Sequence, residues 1–327
     1  MRYSVRAALL AGLIMASVAL EAGAQPSFDL QGHRGTRGLA PENTLAAFRK
    51  AMEIGVTTLE TDLALTSDGR LVLSHEPLLN PDLTRDANGK WLTAPGPAIR
   101  SLTLAQIKTY DVGRLNPEQG YGRQWPEQAA VDGERIPTLA ELVALTQAMG
   151  KTQVRFNIET KLTPQRPQET PEPAAFATAV ADAVRREGIV ARTTVQSFDW
   201  RTLVALKQAA PEIHTACLTI ESSNMNTVVP GADGTSPWQA GLNPADHGGS
   251  LPRLVKAAGC GTWSMFWRNL TPDLVKEARA LGLKILPWTV NNPADMARLM
   301  DMGVDGIITD YPDRLRAVMA GRGMTLP

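Results

Sequence analysis

Residues 57–65 read Thr57-Thr58-Leu59-Glu60-Thr61-Asp62-Leu63-Ala64-Leu65 and have the pattern of a β-strand. Side chains alternate across a strand, so the three leucines share one face while Glu60 and Asp62 share the other. On an antiparallel sheet with one solvated face, this would be ordinary amphipathic patterning. In a parallel sheet covered by helices, the leucines face the helices and both carboxylates point into the centre of the sheet or barrel. Two acids placed there repel each other and lose solvent, so they need a cation or a shared proton.

The rest of the chain favours the parallel arrangement. Strand-like and helix-like segments alternate along it, and eight strand–helix units can be counted. Such an eightfold repeat predicts an α/β protein of the (β/α)8 TIM-barrel type, with its site at the C-terminal ends of the strands. A doubly wound open sheet is the alternative architecture. The periodicity breaks down over residues 77–136, so we predict an inserted lobe there, after the second strand, with one helix at 102–110.

The N-terminal segment predicts export. Arg2 and Arg6 precede an apolar run over residues 7–20, and Ala22-Gly23-Ala24 supplies the small residues of a cleavage site. This is the pattern of a secretory signal peptide at residues 1–24, and the run is shorter than the ~20 apolar residues of a membrane span. We therefore expect residues 25–327 to form a single barrel domain in a periplasm, with no stable membrane insertion after the signal is removed.

Net charge, oligomeric state and cysteine pairing are less informative than the strand pattern. The chain has 33 basic and 33 acidic side chains, so bulk charge gives no indication of a nucleic-acid partner. The oligomeric state is open. Cys217 and Cys260 are the only cysteines. An oxidising compartment permits a disulfide between them, but two reduced core residues fit the sequence equally well.

A second strand repeats the parity of the first. Over residues 154–161 the apolar side chains alternate with polar ones, which places Glu159 as a third inward acid and Lys161 just beyond it at the strand end. Three carboxylates suit Ca²⁺ or Mg²⁺ better than zinc, which prefers histidine and cysteine. We therefore predict one divalent cation, Ca²⁺ or Mg²⁺, bound by Glu60, Asp62 and Glu159.

Other strand ends carry the remaining chemistry. His33 and Arg34 end the first strand, and His75 ends a short run that follows the second strand as a possible hairpin arm. A dication beside Arg34 and Lys161 suits a phosphate group that carries developing charge. Two histidines titrate near neutral pH and can act as base and acid on opposite sides of a P–O bond. The residues together predict metal-assisted cleavage of a phosphate ester.

The motifs follow one another in the order and spacing of a known family. They are His33-Arg34-Gly35, Pro41-Glu42-Asn43-Thr44, Leu59-Glu60-Thr61-Asp62, Ser74-His75, Asn157-Ile158-Glu159-Thr160-Lys161, Gln196-Ser197-Phe198, Pro287-Trp288-Thr289-Val290-Asn291 and Thr309-Asp310-Tyr311-Pro312. This ordered set resembles the glycerophosphodiester phosphodiesterases over about residues 29–320. One departure is Glu76, which stands where many members have Asp.

The resemblance implies a (β/α)8 barrel with an insertion after the second strand. It also implies hydrolysis of glycerophosphodiesters, such as glycerophosphocholine and glycerophosphoethanolamine, to sn-glycerol 3-phosphate and an alcohol. By similarity, Glu60, Asp62 and Glu159 bind the metal, His33 and His75 are the catalytic acid–base pair, and Arg34 and Lys161 hold the phosphate. Trp288 and Phe198 are further candidates for substrate binding, although either could equally fill a layer of the barrel.

Two other functions fit the same residues. One is a lysophospholipase D-like or phosphoinositide-cleaving enzyme on the same barrel. It would need an apolar patch for acyl chains, and the lobe offers few strong candidates for one beyond Trp91 and Trp125. The other is a non-catalytic exported protein that binds phosphate esters. The presence of both histidines and all three acids argues against an inert binder.

Overall fold

The computed structural model describes residues 28–327, so the predicted signal peptide lies outside the described residues. Within that range the strands are Asp29–Gly32 (β1), Thr58–Leu65 (β2), Leu71–Leu73 (β3), Arg155–Thr160 (β4), Thr193–Ser197 (β5), His214–Thr219 (β6), Thr262–Met265 (β7), Lys284–Ile285 (β8) and Gly306–Thr309 (β9). The α-helices of the same range are Leu45–Ile54 (α1), Leu104–Ile107 (α2), Leu139–Ala148 (α3), Pro173–Arg186 (α4), Trp200–Ala209 (α5), Leu251–Ala257 (α6), Pro272–Ala280 (α7), Pro293–Met302 (α8) and Pro312–Gly321 (α9). None of these helices has the length and apolar character needed to cross a membrane.

The strands form one parallel sheet that closes on itself. Hydrogen-bonded neighbours run in the order β8-β7-β6-β5-β4-β2-β1-β9, and β3 pairs with β2 as an antiparallel hairpin arm. The ring closes between the ends of this list, because Asp305 N donates to Ile285 O at 3.0 Å and Val290 N donates to Ile308 O at 3.0 Å. The predicted (β/α)8 barrel is therefore confirmed, and the open doubly wound sheet is excluded.

Local sequence signals explain where the helices begin and end. Thr44 caps α1 by accepting from Ala47 N, and Gly55 ends it in the left-handed region at φ 90°. Thr138 and Glu141 form a reciprocal capping box at the start of α3. Proline occupies the first turn of α4, α7, α8 and α9, where its missing N–H is not needed.

Register places the acids side by side. Glu60 of β2 pairs with Asn157 of β4, and Asp62 pairs with Glu159. Leu59 and Leu63 are fully buried in the main apolar core, on the opposite face of β2. The predicted alternation of β2 is thus confirmed: its leucines pack in the core between sheet and helices, and its carboxylates face the barrel interior.

Two elements are short. Strand β8 ends at Ile285, because Pro287 has no N–H to donate to a ladder. The predicted helix 102–110 is regular only over Leu104–Ile107. The chain turns away soon after, since Asp111 exchanges backbone hydrogen bonds with Arg85.

The segment between β3 and α3 packs as a separate lobe. Its apolar cluster is distinct from the main core and joins barrel residues to lobe residues: Ala64, Val72, Leu79, Ile99, Ile107 and Ile136. The lobe lies beside the hairpin arm β3, because Leu73 N donates to Pro137 O at 2.8 Å. It is therefore placed next to the C-terminal end of β2, where the acids lie.

Cys217 and Cys260 form a disulfide, with their Cα atoms 5.9 Å apart. Cys217 is central in β6, and Cys260 precedes β7, the next strand of the sheet. The neighbouring strands bring the two thiols together although 43 residues separate them in sequence. Of the two alternatives that the sequence left open, a disulfide or two reduced cysteines, the structure has the disulfide.

Candidate active site

Three acids converge at the C-terminal ends of β2 and β4. Each of Glu60, Asp62 and Glu159 is buried, and each offers a carboxylate oxygen within 4.8 Å of the others. Glu60 also accepts hydrogen bonds from Arg34 N at 2.8 Å and from Gln196 Nε2 at 2.9 Å. The side chains that the sequence predicted as metal ligands therefore lie in one cluster.

The three acids of this cluster differ in the direction in which the protein shifts their pKa values. Burial and the neighbouring Asp62 carboxylate raise the pKa of Glu60 well above its usual range. Burial raises the pKa of Glu159 to about 7, in spite of its ion pair with Lys161. Burial would also raise the pKa of Asp62, but His75, Arg34 and Lys161 outweigh it and hold that pKa below its usual value. Two of the three acids thus need further positive charge to ionise at neutral pH.

The arrangement of oxygens fits a divalent cation. Among the described residues, Asp62 Oδ1 is buried without a hydrogen-bond partner, and it faces Lys161 Nζ at 3.7 Å. A buried carboxylate oxygen left in this way is costly unless a cation completes it. Hard oxygen ligands from three carboxylates are the set preferred by Ca²⁺ and Mg²⁺. Glu60, Asp62 and Glu159 could therefore hold one such ion.

Two cationic side chains border the acids. Arg34 Nη1 donates to Glu42 Oε1 at 2.6 Å, and Arg34 Nε lies 3.4 Å from Asp62 Oδ2. Arg34 has φ 50°, a left-handed conformation that a residue other than glycine seldom adopts. Lys161 Nζ donates to Glu159 Oε1 at 2.7 Å. Both predicted phosphate-binding residues are thus held beside the acids.

His33 is oriented by a carboxylate. Its Nδ1 lies 2.6 Å from Asp310 Oδ1, and its Nε2 lies 4.0 Å from Glu60 Oε2. Burial lowers the pKa of His33 to about 4 against the opposing charge of Asp310. An ionised Asp310 can only accept, so Nδ1 carries the proton and Nε2 keeps its lone pair facing the acids. The imidazole is set up as a neutral base.

His75 lies on the side of the lobe. It follows β3, and its Nδ1 is 2.7 Å from Glu76 Oε1. Burial, with Arg34 and Lys161 nearby, lowers the pKa of His75. The hydrogen bond from His75 lowers the pKa of Glu76 to about 2, so this carboxylate stays ionised and orients the ring. Glu76, the one departure noted in the motifs, thus makes direct contact with the histidine.

The two aromatic candidates, Phe198 and Trp288, lie against each other. The ring centroids of Phe198 and Trp288 are 5.4 Å apart with their planes at 86°. Lys161 Nζ is 6.0 Å from the Phe198 centroid, so the aromatic pair lies next to a side chain that is predicted to bind phosphate. Contact of either ring with substrate remains a prediction.

Several residues of the site stand in the motifs quoted above, but sequence reasoning gave them no role. Asp310 and Glu42 orient His33 and Arg34, and Asn43 Nδ2 donates to Asp62 Oδ2 at 2.9 Å. Gln196 binds Glu60 from β5. A usable signal existed for two of them, because Gln196 has inward parity and Asp310 directly follows β9 at its C-terminal end.

The fold and the site together define a class: barrel enzymes that cleave phosphodiesters. The sequence model of the glycerophosphoryl diester phosphodiesterase family matches residues 33–314. This chain therefore belongs to that family, and it is a glycerophosphodiester phosphodiesterase.

Similar proteins cover nearly the whole chain. A glycerophosphodiester phosphodiesterase of Caldanaerobacter subterraneus is 31% identical over 287 residues, which are 86% of this chain and 94% of the relative. One from Bacillus subtilis is 28% identical over 293 residues, covering 88% of this chain and 85% of the relative.

Solved structures of similar fold also cover nearly the whole chain. A structure from Silicibacter pomeroyi that carries the same family name has 36% identity and a TM-score of 0.81, covering 93% of this chain and 96% of its own. A phosphodiesterase of Oleispira antarctica, solved with the product sn-glycerol-3-phosphate, has 22% identity and a TM-score of 0.63; 89% of this chain and 96% of that one are covered. At that identity the second likeness concerns the fold alone.

Proposed function

We propose that this enzyme hydrolyses glycerophosphodiesters, such as glycerophosphocholine and glycerophosphoethanolamine, to sn-glycerol 3-phosphate and an alcohol. We further propose that one Ca²⁺ or Mg²⁺, held by Glu60, Asp62 and Glu159, is required. The observation that carries the proposal is the convergence of three buried carboxylates beside Arg34 and Lys161. The product follows from the family to which the chain belongs, and the Oleispira antarctica phosphodiesterase was solved with the same compound, sn-glycerol-3-phosphate.

The chemistry divides among the side chains already described. When bound, the ion would supply Lewis-acid stabilisation of charge on the phosphoryl oxygens. Arg34 and Lys161 bind the non-bridging oxygens. His33 Nε2 accepts a proton from the nucleophile, which is water or the neighbouring glycerol hydroxyl. Attack by the hydroxyl would give a cyclic phosphate first, and water would then open the ring to give sn-glycerol 3-phosphate. In its imidazolium form, with Nδ1 held by Glu76, His75 donates a proton from Nε2 to the departing alkoxide as the P–O bond breaks.

Metal removal tests this proposal. We expect release of sn-glycerol 3-phosphate from glycerophosphocholine to stop after treatment with EDTA and to return when Ca²⁺ or Mg²⁺ is added in excess. Lysophosphatidylcholine in the same panel tests the lysophospholipase D alternative, and it should be turned over far more slowly. Full activity in EDTA would contradict the metal requirement, and a preference for the lysolipid would contradict the substrate class.

Replacing His75 by Ala should distinguish substrates by their leaving groups. A choline alkoxide needs a proton as it departs, so we expect the rate on glycerophosphocholine to fall by ~10²–10⁴. A p-nitrophenyl ester leaves as a stable phenolate, so its rate should fall much less. Steady-state kinetics on both substrates measures the difference. Equal losses on the two would mean that His75 is not the leaving-group acid.

Export to a periplasm stays a proposal that rests on the pattern of residues 1–24. The disulfide between Cys217 and Cys260 supports it, because such bonds persist in oxidising compartments. Fractionation of the native host and N-terminal sequencing test it. A mature chain that begins at Gln25 in the periplasmic fraction is expected, and an uncleaved cytoplasmic chain would contradict export.

A further inference from the structure

We propose that Tyr121, in the inserted lobe, is a positioning residue for the phosphodiesterase reaction. Its hydroxyl joins two hydrogen-bonded arms that end on separate functional side chains. One arm runs through Glu42 to Arg34, and the other runs through Arg37 and Asp310 to His33. The inference rests on the roles proposed above for Arg34 and His33. It adds that the lobe, and not the barrel alone, holds these two side chains in place.

The first arm is continuous and buried. The Tyr121 hydroxyl donates to Glu42 Oε2, and Glu42 Oε1 accepts from Arg34 Nη1 at 2.6 Å. Glu42 and Arg34 are both buried. Each oxygen of the carboxylate therefore has one donor, and the lobe supplies one of the two. Without the hydroxyl, Glu42 would have a buried charged oxygen free to draw Arg34 into a different geometry.

The second arm starts from the same oxygen. Arg37 Nη1 donates to the Tyr121 hydroxyl at 3.2 Å. The same guanidinium binds Asp310 through Nε at 2.8 Å and through Nη2 at 3.2 Å. Asp310 in turn lies 2.6 Å from His33 Nδ1. Through Arg37, Tyr121 thus helps to hold the Asp310 carboxylate, which sets the tautomer of the proposed base His33.

Further contacts fix the lobe segment that carries Tyr121 onto the loop after β1. The Arg37 guanidinium lies over the Trp125 ring at 4.2 Å from its centroid. Gln128 Nε2 donates to Arg37 O at 2.7 Å, and Ala129 N donates to Leu39 O at 3.0 Å. Removal of one hydroxyl should therefore leave the lobe docked while it breaks the junction between the arms.

Tyr121→Phe tests the inference, with Tyr110→Phe as a matched control. Tyr110 belongs to the same lobe but packs on its apolar cluster, away from the described arms. Because Arg34 binds phosphate and His33 moves a proton, we expect Tyr121→Phe to raise KM and lower kcat together. The combined loss in kcat/KM should be roughly ten- to a hundredfold, as for a hydrogen bond to a charged group. Tyr110→Phe should match the wild type.

A second measurement needs no turnover. Titration with inorganic phosphate, by calorimetry on the metal-loaded protein, should show weaker binding to Tyr121→Phe than to Tyr110→Phe, with equal melting temperatures for the two. An unchanged KM and phosphate affinity in Tyr121→Phe would overturn the inference, as would a loss of kcat alone in proportion to a loss of folded protein. Failure of the wild type to hydrolyse any glycerophosphodiester would instead overturn the proposed function, while the phosphate titration would still decide the role of Tyr121.

Discussion

Replacing Glu159 by Gln should lower kcat/KM for a glycerophosphodiester by roughly 10³-fold or more. Gln keeps the size of the side chain and an oxygen that can accept from Lys161 Nζ. In the wild type, this Nζ lies 2.7 Å from Glu159 Oε1. It removes one of the three negative charges in the cluster. Lewis-acid stabilisation amounts to several kcal/mol, and each ~1.4 kcal/mol changes a rate tenfold, so loss of ion binding has an effect of this size.

The folded state should tolerate this change. Burial raises the pKa of Glu159 to about 7, so the ionised side chain costs stability in the metal-free protein and a neutral amide does not. We expect Glu159→Gln in EDTA to melt at least as high as wild type in EDTA. Glu53→Gln, on the exposed side of α1, is the matched control and should retain full activity. A Glu159→Gln enzyme with near-normal kcat/KM would remove Glu159 from the cation site.

Replacing His33 by Gln should lower kcat by ~10²–10⁴, the range for loss of a general base. The ring is neutral at neutral pH because burial lowers its pKa to about 4, and Asp310 holds the proton on Nδ1. Gln can still donate to Asp310 but offers no basic nitrogen toward the acids. The loss should therefore fall on kcat more than on KM.

Steady-state kinetics and calorimetry together check the role of His33. His214→Gln is the control, because His214 is exposed at the N-terminal end of β6, opposite the site. Phosphate affinity should be little changed in His33→Gln, since Arg34 and Lys161 remain. A His33→Gln enzyme that keeps kcat within a few-fold of wild type would exclude His33 as the base.

Strand parity predicted the acidic site because a parallel barrel buries both faces of each strand. Under that constraint an inward Glu60 or Asp62 has no solvent to reach, so its position in the strand indicates a cation or a shared proton. The same reasoning extended to Glu159 through the second strand. These residues belong to regular strands, where alternation fixes the direction of every side chain.

The residues that orient the site were harder to predict. Glu42 and Asn43 lie in an irregular loop, where periodicity says nothing about direction; Asn43 has a left-handed φ of 55°. Tyr121 lies in the lobe, 79 residues from its partner Glu42, and no pattern in the sequence connects them. The disulfide between Cys217 and Cys260 could not be predicted without the order of the strands in the sheet, because the thiols meet only when β6 and β7 are neighbours.

The proposed cation site is tested most directly by counting the divalent ions that the purified protein binds. Protein stripped with a chelator should be titrated with Ca²⁺, and separately with Mg²⁺, by isothermal calorimetry. We expect one ion per chain at the site of Glu60, Asp62 and Glu159, and binding at least tenfold weaker in Glu159→Gln. A wild-type protein that binds neither ion, or a variant that binds as tightly as wild type, would contradict it.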